Sequence, residues 1–440
     1  MNICAVATAQ GGAIGVIRVS GPNSINIADR LFRGRRSLCS AQGYTLHYGK
    51  IVDASADSVQ CETEVDDVIV SVFRKPDSYT GEDSVEISCH GSSFILSRVI
   101  NLLIQNGCRL ANPGEYTQRA FLNGKMDLSQ AEAVADLIAS KNASQHRVAM
   151  LQMRGGISKR LTELRGRLLE MTALLELELD FSEEDVEFAD RKQLLMLARE
   201  IQTEIHRLSK SFTLGNAIKN GIPVAIIGAP NVGKSTLLNR LLHEDKAIVS
   251  DIQGTTRDLI EDTTYISSTL DGVRKEAEFR FIDTAGIRHT EDAIEQMGIE
   301  RSLGAAERAH IIILMRDQDN DYPDLTIRPD QTVIKVNNKS QDFQAINGIG
   351  ITWLETELLK AVPHEEQSDV LITNLRHKQA LDLAYEDINR AISSILSAIS
   401  GDLISEDLRL CITHISDISG TPITPTDTLR HIFSHFCIGK

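Results

Sequence analysis

The alternation of apolar and polar residues changes character several times along the 440-residue chain. Short apolar runs separated by glycine and proline occupy the N-terminal part, among them Val16 to Val19, Val68 to Val72 and the alternating stretch Val85 to Cys89. Runs of this length and spacing predict strands. We therefore expect residues 1–117 to form an α+β domain.

The next part of the chain predicts helices. It has no proline between Pro113 and Pro223. Apolar residues recur at helical spacing in Leu128 to Ile138 and in Leu161 to Leu179. Residues 118–216 are expected to form the first part of a mostly helical domain.

A different pattern begins near Gly221, where short apolar runs alternate with segments of helix length. This arrangement is typical of a doubly wound α/β domain, which we assign to residues 217–365. Four runs predict its strands: Val224 to Ile227, Phe279 to Ile282, Ile311 to Leu314 and Val333 to Val336.

Helical spacing returns after the α/β region. Leu375 to Ile399 and Ile404 to Ile415 predict amphipathic helices, so residues 366–440 form the second part of the helical domain. The simplest arrangement is one helical domain interrupted by an inserted α/β domain. The predicted fold class is thus multidomain α+β, with an N-terminal α+β domain, a helical central domain and an α/β insertion.

The net charge and the cysteines indicate which compartment and which binding partners to expect. The formal net charge of −15 opposes unaided binding to a nucleic-acid backbone, because that affinity comes mainly from lysine and arginine. Seven cysteines without a closely spaced pair favour neither a disulfide framework nor a zinc module. No signal peptide or membrane-spanning run is visible, so we expect a cytoplasmic protein.

The strongest chemical signal is the octapeptide from Gly228 to Ser235, which fits the phosphate-loop pattern G-x-x-x-x-G-K-[ST]. It follows a predicted strand and precedes the helix-like run Thr236 to Leu242. In such a loop the backbone N–H groups surround phosphates, Lys234 supplies a positive charge, and the Ser235 hydroxyl binds magnesium. This pattern predicts nucleotide binding.

Two further segments support a GTPase. The stretch Asp283 to Gly286 follows the strand Phe279 to Ile282, where a carboxylate supports the magnesium shell and a glycine amide senses the γ-phosphate. Between this stretch and the phosphate loop, Gly254 to Asp258 offers a threonine for the same metal. Ile287 stands where Ras-like GTPases carry a water-orienting glutamine, so the attacking water needs another partner.

The expected guanine-recognition motif departs from the usual Asn-Lys-x-Asp. Asn338 and Lys339 are present, but the aspartate, Asp342, comes one position late, and Gln341 takes its place. A carboxylate accepts hydrogen bonds from both guanine N–H groups, whereas a glutamine offers one acceptor oxygen. We favour recognition by Asp342, with Gln341 as the alternative.

These motifs, together with stretches near both ends of the chain, resemble the MnmE (TrmE) family of tRNA-modifying GTPases. In the α/β region the similar stretches are Ser250 to Asp258 and Asp283 to Arg301. Elsewhere they are Gly11 to Gly21, Tyr79 to Glu86, Arg119 to Leu128 and Phe436 to Lys440.

The resemblance implies a Ras-like G domain activated by potassium when two G domains pair. Potassium would be bound by Asn231, Ser250, Ile252 and Thr255, magnesium by Ser235 and Thr256, and Glu295 would orient the hydrolytic water. The full set of expected nucleotide-binding residues is Asn231, Val232, Gly233, Lys234, Ser235, Thr236, Ser250, Asp251, Ile252, Gln253, Gly254, Thr255, Thr256, Asp283, Thr284, Ala285, Gly286, Asn338, Lys339 and Asp342.

The resemblance also implies that the N-terminal domain binds tetrahydrofolate. Arg18, Glu86, Lys125 and Lys440 would contact a one-carbon donor, 5,10-methylenetetrahydrofolate, for which 5-formyltetrahydrofolate is an analogue. Cys437 would lie near the modification chemistry as a second catalytic candidate.

The function implied is GTP hydrolysis by a homodimer that joins the FAD protein MnmG in a heterotetramer. Together they would add a carboxymethylaminomethyl or aminomethyl group to C5 of wobble uridine, with the tRNA held mainly by MnmG. Two alternatives remain open: a ribosome-assembly GTPase, although no KH-type module follows the G domain, and a nucleotide-controlled binding switch without a modification role.

Overall fold

The computed structural model divides into two compact units. One contains the residues up to Ile205 together with those described from Ala380 onward, and the other contains His206–Gln379. The structure describes residues 1–9, 11–53, 63–180, 191–243, 262–270, 273–282, 304–318, 321–329, 331–362, 370–397 and 399–420.

The first unit begins with a seven-stranded sheet of order β3-β4-β5-β6-β2-β1-β7. Its pairs are antiparallel except β1 with β7. The strands are β1 Asn2–Val6, β2 Ile14–Ser20, β3 Phe32–Gly34, β4 Thr45–Asp53, β5 Thr63–Phe73, β6 Ser84–His90 and β7 Cys108–Leu110. The three strands expected from the apolar runs are confirmed.

Two helices, α1 Ser24–Leu31 and α2 Ser93–Gln105, pack on one face of this sheet. Alternate residues of β5, namely Val68, Val70 and Val72, are buried under them, as a strand with one covered face requires. The other set of alternate residues, which includes Arg18 on β2 and Glu86 on β6, lies on the opposite face. That face carries the N-terminal candidate site.

The helices of the first unit come from two stretches of the sequence, one before and one after the second unit. They are α3 Glu115–Leu122, α4 Leu128–Ala139, α5 Ala143–Met153, α6 Gly156–Asp180, α7 Arg191–Lys210, α11 Leu375–Leu396 and α12 Gly401–Ser419, with the ends of α7 and α11 reaching into the second unit. Helix α12 packs against α6 and α4. A capping box formed by Asp127 and Gln130 fixes the start of α4. The four predicted helical stretches are confirmed, although α11 ends before Ile399.

The second unit contains a five-stranded sheet of order β12-β11-β8-β10-β9, parallel except for the pair β9 and β10. Helices α9 and α10 pack on one face of it, and residues 305–309 pack on the other. The elements are α8 Phe212–Asn220, β8 Ile222–Gly228, α9 Lys234–His243, β9 Asp262–Leu270, β10 Val273–Phe281, β11 Ile311–Arg316, β12 Thr332–Asn337 and α10 Ile351–Lys360.

The connection between β11 and β12 has the length of a helix, yet its described residues form none. Pro323 and Pro329 lie within it and disfavour helical backbone before and at each proline. Nowhere in the described ranges does a helix combine the length and apolar character that a membrane crossing requires.

Candidate functional site

The phosphate loop connects β8 to α9 at the carboxyl edge of the second sheet. Asn231 and Gly233 both adopt left-handed backbone conformations, with φ of 63° and 97°. A Cβ atom at Gly233 would collide with the side-chain amide of Asn338, so only glycine fits there. Helix α9 starts at Lys234, and its N-terminus therefore points its unpaired N–H groups toward the loop, as anion binding requires.

The Lys234 side chain lies along the inside of this loop. Its Nζ donates to the carbonyl oxygens of Gly228 at 2.8 Å and Ala229 at 2.9 Å. Burial lowers the pKa of Lys234, since a partly buried ammonium lacks the hydration that stabilises its charge. A phosphate next to this group would stabilise the charged form. Ser235 and Thr236 occupy the first turn of α9, and the side chain of Val232 is buried.

Asn338 joins the phosphate loop to the segment that follows β12. Its side-chain Nδ2 donates to the carbonyl of Val232 at 2.7 Å, and its Oδ1 accepts from the backbone N–H of Ala345 at 3.0 Å. The residue is only 5% exposed. Lys339 makes a second connection, because its Nζ donates to the carbonyl of Asn231 at 3.1 Å. Two residues expected to recognise guanine thus also shape the phosphate loop.

The displaced aspartate lies in a tight turn. The backbone N–H of Ser340 donates to the carbonyl of Phe343 at 3.2 Å, and the Ser340 hydroxyl accepts from the N–H of Phe343 at 3.1 Å. Gln341 and Asp342 form the tip of this turn, and both are exposed. The turn brings both candidate base readers to the same surface, so recognition by Asp342 stays a prediction.

The N-terminal candidate site lies on the open face of the first sheet. Arg18 and Glu86 face each other on neighbouring strands, and the Arg18 Nε and Nη2 atoms each lie 2.8 Å from Glu86 Oε1. The rings of Tyr79 and Tyr116 flank the guanidinium, with centroids 5.6 Å and 5.5 Å from its Cζ. Lys125 is near the same loop as Tyr79, since its Nζ donates to the carbonyl of Pro76 at 3.0 Å.

The buried carboxylate of Glu115 is hydrogen-bonded next to this region. Glu115, 5% exposed, accepts from Arg109, from Arg119 at 2.9 Å, and from the backbone N–H of Asn112 at 2.9 Å. Burial alone would raise the pKa of Glu115, but these hydrogen bonds lower it overall. Arg119 also pairs with Glu82 at 2.9 Å, which ties α3 to the loop that carries Tyr79.

Several of these residues do not belong to any motif in the sequence. Tyr116, which donates its hydroxyl proton to the carbonyl of Arg18 at 2.7 Å, is one, and Asp317, which pairs with Lys339 at 2.6 Å, is another. The only available signal for Asp317 was its position directly after an apolar strand. Tyr79 begins the stretch Tyr79 to Glu86, for which the resemblance implies a role only for Glu86.

Many expected site residues lie outside the residues that the structure describes. They are Ser250, Asp251, Ile252, Gln253, Gly254, Thr255, Thr256, Asp283, Thr284, Ala285, Gly286, Glu295, Cys437 and Lys440.

Two family models together match almost the whole chain. Residues 128–437 match the family model described as MnmE helical domain, and residues 2–125 match the model described as GTP-binding protein TrmE N-terminus. The tRNA modification GTPase MnmE of Bacteroides fragilis is 52% identical over 477 residues, covering 100% of this chain and 99% of that protein. The protein of the same name from Parabacteroides distasonis is 51% identical over 474 residues, with 100% of each chain covered.

A solved structure also shares part of the sequence. Era of Aquifex aeolicus bound to GDP and AlF4⁻ is 23% identical, and the match covers 37% of this chain and 65% of that one. Its TM-score of 0.21 is too low for a comparison of architecture.

Proposed function

The chain belongs to the MnmE family of tRNA modification GTPases, and we propose that it is a potassium-activated member that uses a folate one-carbon donor. GTP hydrolysis in tRNA modification follows from the family. The choice of ions, one-carbon donor and partner is the proposal. The observation that supports GTP binding is the phosphate loop. Its left-handed residues, the helix N-terminus beside it and its connections to Asn338 and Lys339 suit a nucleoside phosphate.

The proposed hydrolysis depends on positioning and charge more than on covalent chemistry. Lys234 and the α9 N-terminus would neutralise the phosphates. Ser235 and Thr256 would hold a magnesium ion, which would supply further positive charge for the phosphate oxygens. Glu295 orients the attacking water, in the absence of a glutamine after Gly286. None of these roles requires a side chain to form a bond to phosphorus.

Potassium would supply positive charge at the place where other GTPases use an arginine. Its proposed ligands are Asn231, Ser250, Ile252 and Thr255. Two observations support Asn231 as a ligand. It is exposed in the phosphate loop, and its backbone is left-handed, with a carbonyl that accepts a hydrogen bond from Lys339. Oxygen atoms of amides, hydroxyls and carbonyls suit a hard cation.

A folate is the proposed ligand of the N-terminal face. Arg18, Glu86 and Lys125 combine donors and acceptors with two aromatic rings, which suits a flat pterin and a carboxylate tail. Lys440 would complete this group, and Cys437 would act near the transferred carbon. The carbon unit would be passed to C5 of wobble uridine.

The proposed assembly is a homodimer that joins the flavoprotein MnmG in a heterotetramer in the cytoplasm. The net charge of −15 supports a partner that holds most of the tRNA. We also propose that the G domain, residues 217–365, is inserted between the helical parts 118–216 and 366–440. Support comes from the packing of α12 on α6, across that interval of the sequence.

The test of the ion and of the reaction is a pair of measurements on the full-length protein. GTP hydrolysis should be faster in potassium chloride than in sodium chloride at equal ionic strength, and Asn231→Ala should remove most of that difference. Equal rates in the two salts would reject potassium activation. Mass spectrometry of tRNA nucleosides from cells without the gene should show loss of the C5 modification, and its persistence would reject the modification role.

A further inference from the structure

Asp317 is a buried carboxylate outside the motifs that identify the nucleotide site. It follows β11 directly, and its side chain is 3% exposed. Its Oδ2 lies 2.6 Å from the Nζ of Lys339, which follows the neighbouring strand β12 after one residue. Because β11 and β12 are parallel and adjacent, both strands end at the edge of the sheet where the nucleotide site lies.

The lysine in this pair is held at more than one point. Its Nζ donates to the carbonyl of Asn231 in the phosphate loop as well as to Asp317. Its backbone is left-handed, with φ of 61°, a conformation that is unusual for a residue with a side chain. On the β11 side, Nε2 of Gln318 approaches the carbonyl of Lys339 at 3.4 Å. The chain Asp317, Lys339, Asn231 thus connects two strand ends to the loop.

A purely structural role explains this aspartate poorly. The buried Asp317 carboxylate loses hydration on folding, and a well-packed apolar residue of similar volume would avoid that cost. The lysine side chain is itself 54% exposed, so the buried partner restricts a group that would otherwise sample several positions in water. Restricting a ligand-binding group before the ligand arrives reduces the entropic cost of binding.

We propose that Asp317 is a positioning residue for nucleotide binding. It fixes the Lys339 ammonium against the Asn231 carbonyl, so the guanine-recognition segment and the phosphate loop are preorganised together. The side chain acts through Lys339 and need not touch the nucleotide. The proposal rests on the nucleotide site described under the proposed function and adds to it a residue outside the phosphate loop and the Asn338–Lys339 segment.

The first test is Asp317→Asn in the full-length protein, a change that keeps the shape and removes the charge. The dissociation constant for fluorescently labelled GDP should rise about three- to tenfold, because the Lys339 side chain then has to be ordered when the nucleotide binds. The kcat at saturating GTP should fall less than about threefold, because Asp317 contacts none of the reacting atoms. Asp324→Asn, a change at an exposed acid in the same connection, serves as the matched control and should bind GDP like the wild type.

The second test is a double-mutant cycle with Lys339→Met. If Asp317 acts through Lys339, adding Asp317→Asn to the Lys339→Met variant should weaken GDP binding by less than about twofold. The double variant removes both charges and leaves no unpaired buried ion. It therefore also serves if the single Asp317→Asn variant does not fold, since its affinity can be compared with that of Lys339→Met alone.

Two results would overturn the proposal: unchanged GDP affinity in a folded Asp317→Asn variant, or losses that multiply in the double variant. Failure of the proposed function gives a different result. A wild-type protein that binds GDP but does not hydrolyse GTP would reject the enzymatic role, and the affinity cycle would still report on Asp317.

Discussion

The nucleotide site and the Arg18 site are held together by different kinds of interaction. Around the phosphate loop, left-handed backbone at Asn231 and Gly233 and the neutral amide of Asn338 determine the shape. Around Arg18, the partners are a carboxylate and two aromatic rings. A site shaped by the main chain keeps its form when side chains change their charge, whereas a site built from ion pairs depends on ionisation.

This contrast extends to the surroundings of each site. Behind the Arg18 site, Glu115 pairs with two arginines in a buried position. Beside the phosphate loop, the described hydrogen bonds mostly join side chains to backbone groups, and the ion pair of the buried Asp317 with the exposed Lys339 differs from them. We therefore expect acid pH to weaken the first unit before it weakens the nucleotide site.

The largest expected effect separates catalysis from binding within the nucleotide site. Glu295→Ala should lower kcat for GTP by roughly 10² to 10⁴, the range for lost acid-base or water-positioning help, and leave GDP affinity nearly unchanged. Steady-state kinetics and GDP titration measure the two quantities. Glu307→Ala, a change at an exposed residue of the same unit, is the control. Normal turnover in the Glu295 variant would show that this residue does not position the attacking water.

The two sites also differ in how far the sequence predicts them. The phosphate loop is one contiguous octapeptide, and its glycines and lysine specify both conformation and chemistry. The Arg18 site draws on residues from β2, the loop before β6, β6 itself and α3, and only a family resemblance related Arg18 to Glu86. Tyr116 and Asp317 were missed because a buried tyrosine and an aspartate after a strand have many ordinary roles. Several strands and helices, such as β5, β11 and α6, followed from apolar spacing. The described residues between β11 and β12 form no helix, which reflects the prolines there.

The second prediction tests the acid sensitivity of the first unit. The folded protein lowers the pKa of Glu115, so this group contributes stability above its unfolded pKa of about 4.3, and that contribution is lost as pH falls through the lower folded value. Glu115→Gln should therefore cost about 2 to 3 kcal/mol at pH 7 and progressively less below pH 4. Urea unfolding followed by circular dichroism at pH 7, 5 and 3.5 gives these values.

The single tryptophan makes this measurement specific to one unit. Trp353 belongs to α10 in the second unit, so its fluorescence transition should not move when Glu115 changes. Glu64→Gln, which removes an exposed ion pair with Lys50, should leave stability nearly unchanged at any pH, because such pairs contribute little in water. A pH-independent loss for Glu115→Gln, or an equal shift of the tryptophan transition, contradicts the proposed division.

The third prediction concerns the side chains at the tip of the turn after Ser340. Asp342→Ala should weaken GDP binding at least about tenfold, because a carboxylate bound to both guanine N–H groups is worth roughly 1.5 to 3 kcal/mol. Gln341→Ala should have little effect, and ATP should remain a poor ligand in both. If only the Gln341 variant binds weakly, the glutamine reads the base. If neither does, Asn338 and backbone groups suffice.

The smallest expected effect tests whether aromatic packing holds Arg18 in its binding position. Tyr79→Leu removes the ring 5.6 Å from the guanidinium, and a cation–π contact at a partly exposed position is worth about 0.5 to 1 kcal/mol. The affinity for 5-formyltetrahydrofolate, measured by calorimetry, should therefore fall about two- to fivefold. Tyr79→Phe keeps the ring and removes only the hydroxyl bonded to Thr117, so it should retain most of the affinity. Tyr48→Leu, which removes an exposed ring elsewhere on the same sheet, is the matched control.

If Phe and Leu at position 79 lower folate affinity equally, the hydroxyl and the loop it anchors are responsible, and the ring has no part in placing Arg18. If the Leu variant alone is weakened, the aromatic face contributes as proposed, and the Arg18 site depends on ring packing where the nucleotide site depends on backbone shape.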